Sequence, residues 1–416
     1  MTERTSGFRE STASQRRTLI AAALGWMLDA FDVMLYSLVL ASVMGELGMT
    51  KAQSGFLNTL TLVASGIGGV LFGFVADRIG RKKALMLSIL TYSLCSLGSG
   101  FSTSVAMLAV FRFVLGLGMG GEWNTGATLV AETWPTHLRA KAIAIVQSSW
   151  AIGFALAALV VWVVMQFYDW RTVFFVGVLP ALVILWIRRD VPESEMWKER
   201  HAHTTASEPT PPTAPFSEIF SSPFAGKTFA LLFLNFFGMF AWWGLFTWVP
   251  AYLALPVAQG GRGFSESEKT ALLVILNLTG MLPGYVSFGW VADHLGRRRS
   301  FMLYTFLAAV LVPLYAMAES FWTLLLLGTP VAFFGTGFFS GSGIIGSEIF
   351  PTRVRARALG FTYNGARTLS SVSPFVIGWV AETRGLGGAF MICAACFLVA
   401  SLVATRLPET KGKELD

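Results

Sequence analysis

The sequence predicts an all-α membrane protein, with twelve spanning helices in two pseudo-symmetric halves of six. Three observations carry the prediction. Hydrophobic residues make up 54% of the 416 and charged residues only 13%, with a mean hydropathy of +0.61; soluble proteins carry about 25% charged residues. Twelve apolar runs alternate with short polar breaks. Finally, GFVADRIGRKKAL (73–85) returns as GWVADHLGRRRSF (289–301), and ETWPTHLRAKA (132–142) as EIFPTRVRARA (348–358), both 216 positions later without a gap. Two coincidences at one offset indicate a duplicated six-helix unit.

The first run, about 18–43, is long enough to cross a bilayer as one helix. Its centre, LGWMLDAFDVMLYSLVL (24–40), carries Asp29 and Asp32. Each carboxylate costs roughly 2.5–3.5 kcal/mol at a bilayer centre. Three residues apart, they share a helix face, where two carboxylates do not both ionise easily, so the pair is expected to carry a proton. Runs at about 53–76, 84–102, 104–131, 142–166 and 170–187 complete the first half; those at about 227–253, 269–292, 300–318, 320–346, 357–381 and 388–405 form the second. The expected organisation is a tail (1–17), a bundle (18–187), a linker (188–226), a second bundle (227–405) and a tail (406–416). The linker is rich in charge, Thr and Pro and too poor in apolar residues to add a span.

Lys and Arg set the expected orientation. With the N-terminus inside, 24 of the 31 fall in cytoplasmic segments and five outside: Lys51, Arg171, Arg262, Lys269 and Arg384. That bias puts both termini in the cytoplasm. Arg112 and Arg367 lie within spanning helices.

Several function classes drop out. The net charge of +7 sits in short loops and does not point to nucleic acid. Cys95, Cys393 and Cys396 all lie in apolar runs, which suggests neither a disulfide framework nor a metal site. The first run is too long, and lacks a cleavage site, for a secretory signal. No hydrolase or paired metal-ligand motif occurs in the spans, so an enzyme is not expected. Gly116-x-Gly118-x-x-Gly121 has no strand before it and reads as close helix packing. Trp242, Trp243, Phe246 and Trp248 read mainly as packing or interfacial belt, with Trp243 or Phe246 the candidates for touching a ligand. His201 and His203 are expected to be solvated in the linker.

At about 1.5 Å per residue, Asp29 lies roughly 16 Å from the inner face, and Glu122 and Arg367 roughly 15 Å. Three charged residues from three helices thus share one level, which implies a common polar cavity. Arg367 has Ala151 as its counterpart 216 positions earlier, so the duplication did not supply it. A guanidinium grips a carboxylate through two parallel bonds. Arg367 is therefore assigned to a substrate carboxylate, with Tyr363 and Asn364 as hydrogen-bonding candidates; pairing with Asp29 or Glu122 is the structural alternative. Arg112 lies roughly 30 Å from the inner face and is expected either to pair with Asp32 and tune proton release or to hold helices 1 and 4 together. Glu122 is a second proton carrier or a partner of Asp29.

Gly73-x-x-x-Asp77-Arg78-x-Gly80-Arg81-Lys82 resembles the signature loop of the major facilitator superfamily, and Arg112-x-x-x-Gly116-x-Gly118 is similar to a second motif of that family. Leu28-Asp29-Ala30-Phe31-Asp32, Gly121-Glu122-Trp123, the segment from Glu132 to Arg139, Trp170-Arg171 and Glu195-Met196-Trp197-Lys198 together resemble the sialate:proton symporter group, which includes sialic acid and lactate/pyruvate permeases. The Asp-x-Phe-Asp element also resembles aromatic acid:proton symporters, with Ala30 in place of a usual Gly. Sialic acid members can carry two extra spans in mid-chain; this linker has no room for them, which favours a smaller acid.

The resemblance implies proton-coupled symport of an organic monocarboxylate by alternating access, lactate- or pyruvate-like first and sialic acid next. An aromatic acid symporter, or an exporter or antiporter of the same fold, is the alternative. Asp29, Asp32 and Glu122 would carry the proton, and Arg367, Asn364, Tyr363 and Arg112 would bind substrate. Asp77, Arg81, Glu132 and Arg139, with their repeats Asp293, Arg297, Glu348 and Arg355, would latch the outward-facing state. His294 stands where Arg78 does, so the second latch is expected to be the weaker. The implied partners are a small organic acid, a proton and the lipid bilayer, with no cofactor and no metal, for a functional monomer in the bacterial inner membrane.

Overall fold

A computed structural model describes residues 11–195 and 216–411, and among these residues it contains helices and no strands. The linker calls on His201, His203 and Met196 to Lys198 lie outside the described residues, as does the side chain of Arg139.

The first half contains α1 (Ala13–Leu47), α2 (Lys51–Ile79), α3 (Arg81–Gly100), α4 (Val105–Thr133) and α5 (Thr136–Met165). Its sixth crossing, α6, is broken into Trp170–Val176 and Ala181–Asp190. The second half contains α7 (Ala225–Ala254), α8 (Glu266–Ile275, continuing through a π-turn Leu276–Met281 into Leu282–Leu295), α9 (Arg297–Met317), α10 (Phe321–Ile349), α11 (Thr352–Ser370) and α12 (Ser373–Ala404). Ten of these stretches are long and apolar enough to cross a membrane, and the last, Arg357–Ala404, is long enough to do so twice. The reversal falls at Gly385, at φ 68°, in the left-handed region that favours glycine. On its way out the chain passes Lys51, whose Nζ donates to the Ala381 carbonyl, and on its return Glu409 meets the start of α9.

Local sequence explains where the crossings begin. Thr12, Thr50, Ser104, Ser265 and Ser320 each accept a hydrogen bond from the third backbone N–H of the helix they precede, at 3.2–3.3 Å. The runs differ from the sequence reading in two places. Crossing 6 is interrupted because Gly177 ends one helix and Pro180, which has no N–H, starts the next. The linker's described end is not purely polar chain: Phe216–Phe220 forms a 3-10 turn whose Phe220 ring packs 5.1 Å from Phe361 on α11.

The glycines of α4 set its spacing from two neighbours. A Cβ on Gly116 would strike the Thr61 carbonyl of α2, one on Gly118 the backbone of Ser88 and Tyr92 in α3, and one on Gly120 the Ser65 carbonyl of α2. Ser88 Oγ donates to the Gly118 carbonyl at 2.8 Å. Gly120→Ala should therefore cost about 1–3 kcal/mol through overpacking against backbone that cannot yield, read as a lower unfolding temperature in detergent. Gly343→Ala on α10, where a Cβ meets open space, should leave it unchanged.

Candidate functional site

The face carrying the termini holds two copies of one charge cluster. In the first, Arg81 Nη1 donates to Asp77 at 2.7 Å and to the Ala76 carbonyl at 2.9 Å, while Nη2 reaches Glu132 at 3.3 Å. In the second, Arg297 Nη1 donates to Asp293 at 2.7 Å and to the Ala292 carbonyl at 3.1 Å, while Nε and Nη2 hold Glu348 at 3.1 and 3.0 Å. Each arginine follows a glycine of the same unusual conformation, Gly80 at φ 100° and Gly296 at φ 95°. A fourth member joins each cluster that the motifs do not include: Glu193 accepts the Arg81 N–H at 2.9 Å, and Glu409 accepts the Arg297 N–H at 2.8 Å. Pro192-Glu193 and Pro408-Glu409 stand 216 positions apart, so the repeat itself was the signal. Burial acts to raise the Glu409 carboxyl, but backbone N–H donors from Arg297, Lys411 and Thr410 outweigh it and hold it below the usual carboxylate range.

The second cluster is not the weaker one. Arg297 engages both oxygens of Glu348, and Thr410 Oγ1 adds a 2.5 Å hydrogen bond. His294 takes no part, its Nδ1 lying 2.8 Å from the Trp290 carbonyl. Arg355 Nε donates to the Phe350 carbonyl at 3.0 Å. Every one of these contacts stays within its own half.

Contacts that join the halves gather on the opposite face. Lys51, at the start of α2, donates to the Gln259 carbonyl at 2.8 Å and the Ala381 carbonyl at 3.4 Å. Lys269, at the start of α8, donates to the Leu38 carbonyl of α1 at 3.2 Å and pairs with Glu266 at 2.7 Å. Trp162 Nε1 donates to Ser267 Oγ at 3.0 Å. The sequence places Lys269 with the outer loops, yet it is only 2% exposed, because its ammonium reaches across to the other half. Helices 2 and 8 are repeat-related, and each carries near its start a lysine that reaches the other half, although the two lysines are not at equivalent positions. This face is closed, with a cavity of about 590 Å³ left between the ends of α1 and α7.

Midway between the faces lie the buried charges. Glu122 points from α4 at the backbone of α1, where a Cβ on Gly25 would strike its Oε1. Asp29, one turn further along α1, is within electrostatic range of Glu122, and Arg367 from α11 acts on both carboxylates. No ion pair within 4.0 Å joins Arg367 to either acid among the described residues, and the Arg367 guanidinium carbon lies 5.9 Å from the Trp26 ring centre. Asp29 Oδ2, Glu122 Oε2 and Arg367 Nη2 are buried without hydrogen-bond partners. The Tyr363 side chain lies near Gln147 of the other half, and Asn364 is exposed.

A run of five indoles extends from this group, beginning at Trp26. Trp26 lies 4.5 Å from Trp123 and 4.9 Å from Trp150; Trp150 lies 6.0 Å from Trp242 and 5.8 Å from Trp243, ring centre to ring centre. The sequence singles out Trp123 only through the Gly121-Glu122-Trp123 resemblance, and Trp26 and Trp150 not at all, because no periodicity separates a lining indole from a packing one. Phe246 sits behind Trp242 and is fully buried.

The expected Asp32–Arg112 ion pair is absent. Asp32 Oδ1 accepts a hydrogen bond from Ser96 at 3.0 Å beside the Gly177 break in α6. Arg112 instead lies over the Tyr36 ring at 4.8 Å, wholly buried in the first half with none of its nitrogens hydrogen-bonded. A cation held against an aromatic face replaces the salt bridge. This places Arg112 among α1 side chains of its own half, whereas Arg367 faces Trp26, Asp29 and Glu122.

Two helical halves, closed against each other at one face and carrying buried charges where they meet, define a multi-pass membrane protein. The chain belongs to the major facilitator superfamily: residues 22–261 and 253–415 both match the description Major Facilitator Superfamily. It is a multi-pass secondary transporter and not an enzyme. A probable 4-methylmuconolactone transporter of Cupriavidus pinatubonensis is 33% identical, over 98% of this chain and 94% of its own. The sialic acid transporter NanX of Escherichia coli is 32% identical, over 97% of each chain. The solved structure of the xylose transporter XylE from E. coli, in a partially occluded inward-open conformation, superposes with a TM-score of 0.77 at 18% identity, over 97% of this chain and 100% of that one.

Each charged hydrogen bond from Lys51 or Lys269 contributes about 1.5–3 kcal/mol. Lys51→Ala combined with Lys269→Met should therefore open the closed face. With Cys95, Cys393 and Cys396 replaced by Ala and a reporter Ala41→Cys in the cavity wall, labelling by a water-soluble maleimide should accelerate by at least about tenfold.

Proposed function

We propose that the protein takes up an organic monocarboxylate together with a proton. The observation that carries this reading is the facing of Arg367, from one half, by Asp29 and Glu122 from the other, with no ion pair closed between them. A guanidinium with an unpartnered nitrogen suits a carboxylate. Acids beside it suit proton carriage, because intramembrane carboxylates default to functional sites.

Charge balance supports a definite coupling. Asp29, Asp32 and Glu122 face Arg112 and Arg367, three carboxyls against two guanidiniums, in surroundings of low dielectric. Net charge there is costly, so one proton neutralises the empty group, and a bound anion calls for one more. One anion with one proton moves no net charge, so uptake responds to the pH gradient and not to the membrane potential.

The Lys and Arg bias supports cytoplasmic termini in a bacterial inner membrane. The closed face is then the outer one and the conformation is inward-facing. The two arginine clusters, each confined to its own half in this state, would engage across the halves when the inner face closes. Asp29 or Glu122 takes its proton from outside, Arg367 binds the anion, the halves rock, and both leave inside.

In proteoliposomes, Asp29→Asn should abolish accumulation driven by a pH gradient; full accumulation would exclude Asp29 as carrier. Arg367→Ala should weaken carboxylate binding by about 2–5 kcal/mol, measured by isothermal calorimetry. Unchanged binding would remove its assigned role.

A further inference from the structure

Buried tryptophans normally place their N–H on an acceptor, and four here do so. Trp134 donates to the Gln15 carbonyl at 3.0 Å, Trp170 to Glu46 at 2.6 Å, Trp242 to Thr336 at 3.0 Å and Trp248 to the Pro374 carbonyl at 2.9 Å. Trp26 and Trp150 do not. They are 6% and 3% exposed, and their Nε1 atoms are buried with no hydrogen-bond partner. The two rings are 4.9 Å apart, and Trp26 is the ring against which the Arg367 guanidinium lies. An unpaired buried donor costs about 1–3 kcal/mol in a packed core. Two of them side by side, next to a guanidinium that also has an unpaired nitrogen, form a donor set suited to a ligand.

From this juxtaposition we infer that Trp26 and Trp150 are specificity-determining residues, and that the substrate is a carboxylic acid bearing a second oxygen or nitrogen acceptor remote from its carboxylate. The carboxylate occupies Arg367, and the second acceptor receives an indole N–H. The other indoles of the run supply faces for an apolar body. A site built to hydrogen-bond a substrate group rejects the analogue that lacks it, because its own buried donors are then left unpaired. This inference rests on the carboxylate reading of Arg367 and goes beyond it by naming what else the substrate must carry.

The test measures binding of four probes to the purified full-length protein by isothermal calorimetry: benzoate, 3-hydroxybenzoate, 4-hydroxybenzoate and pyridine-3-carboxylate. At least one acceptor-bearing acid should bind about tenfold more tightly than benzoate. Trp26→Phe and Trp150→Phe keep an aromatic ring and remove the N–H. One or both should collapse that ratio to about one while benzoate affinity changes little, a pattern that a merely structural loss would not produce. Unfolding temperature in detergent identifies a variant that fails to fold, and Trp→His, which restores a ring donor, replaces it. Acids that bind in an Arg367-dependent manner with a ratio unmoved by either indole variant would overturn this inference alone. Failure of all four to bind, or binding unchanged in Arg367→Ala, would overturn the carboxylate reading and this inference with it.

Discussion

An ionised side chain buried in a bilayer costs up to about 2.5–3.5 kcal/mol on insertion scales, and of the seven charged side chains buried among the described residues five lie outside any ion pair: Asp29, Asp32, Arg112, Glu122 and Arg367. The organisation of the bundle follows from how they are held. They are not closed into ion pairs. Three carboxyls and two guanidiniums are instead spread through helices of both halves, each within electrostatic range of the next, and several of their atoms have no hydrogen-bond partner. A closed salt bridge would be a stable strut. An open series of opposed charges can take up an anion and a proton without first breaking one.

The duplicated and the non-duplicated parts of the chain divide the labour. Duplication supplies two near-identical clusters, Arg81 with Asp77, Glu132 and Glu193, and Arg297 with Asp293, Glu348 and Glu409. Each ties the end of a half's sixth crossing back to the turn between its second and third, so each half can move as a unit. The centre is not duplicated. Arg367 has alanine as its counterpart, and the acids belong to the first half alone. Such asymmetry is what a site needs if one half is to hold a ligand's charge and the other a proton.

The same logic explains why the closed face is fastened by lysines donating to backbone carbonyls. Lys51 and Lys269 hold the partner half through polar groups that water can replace when the face opens. A buried carboxylate partner left behind in the other half would cost far more to expose and reseal.

Much of this was legible in the sequence, because hydropathy, Lys and Arg bias and the 216-residue offset are properties of the chain taken in order. Twelve crossings, two halves and the common depth of Asp29, Glu122 and Arg367 follow from counting residues along helices of fixed rise. What counting cannot supply is the rotation of each helix about its axis and the neighbours that packing brings to it. That is why Arg112 faces Tyr36 and not Asp32, why Lys269 is buried across the gap between halves, and why Trp26 and Trp150 line the charged centre while Trp242 and Trp248 are bonded elsewhere. Glu193 and Glu409 lie between these extremes: their repeat was written in the sequence, but only the fold shows that their carboxylates meet the backbone of Arg81 and Arg297. Depth is set by the local chain, whereas side-chain partners are set by contacts between segments far apart in sequence.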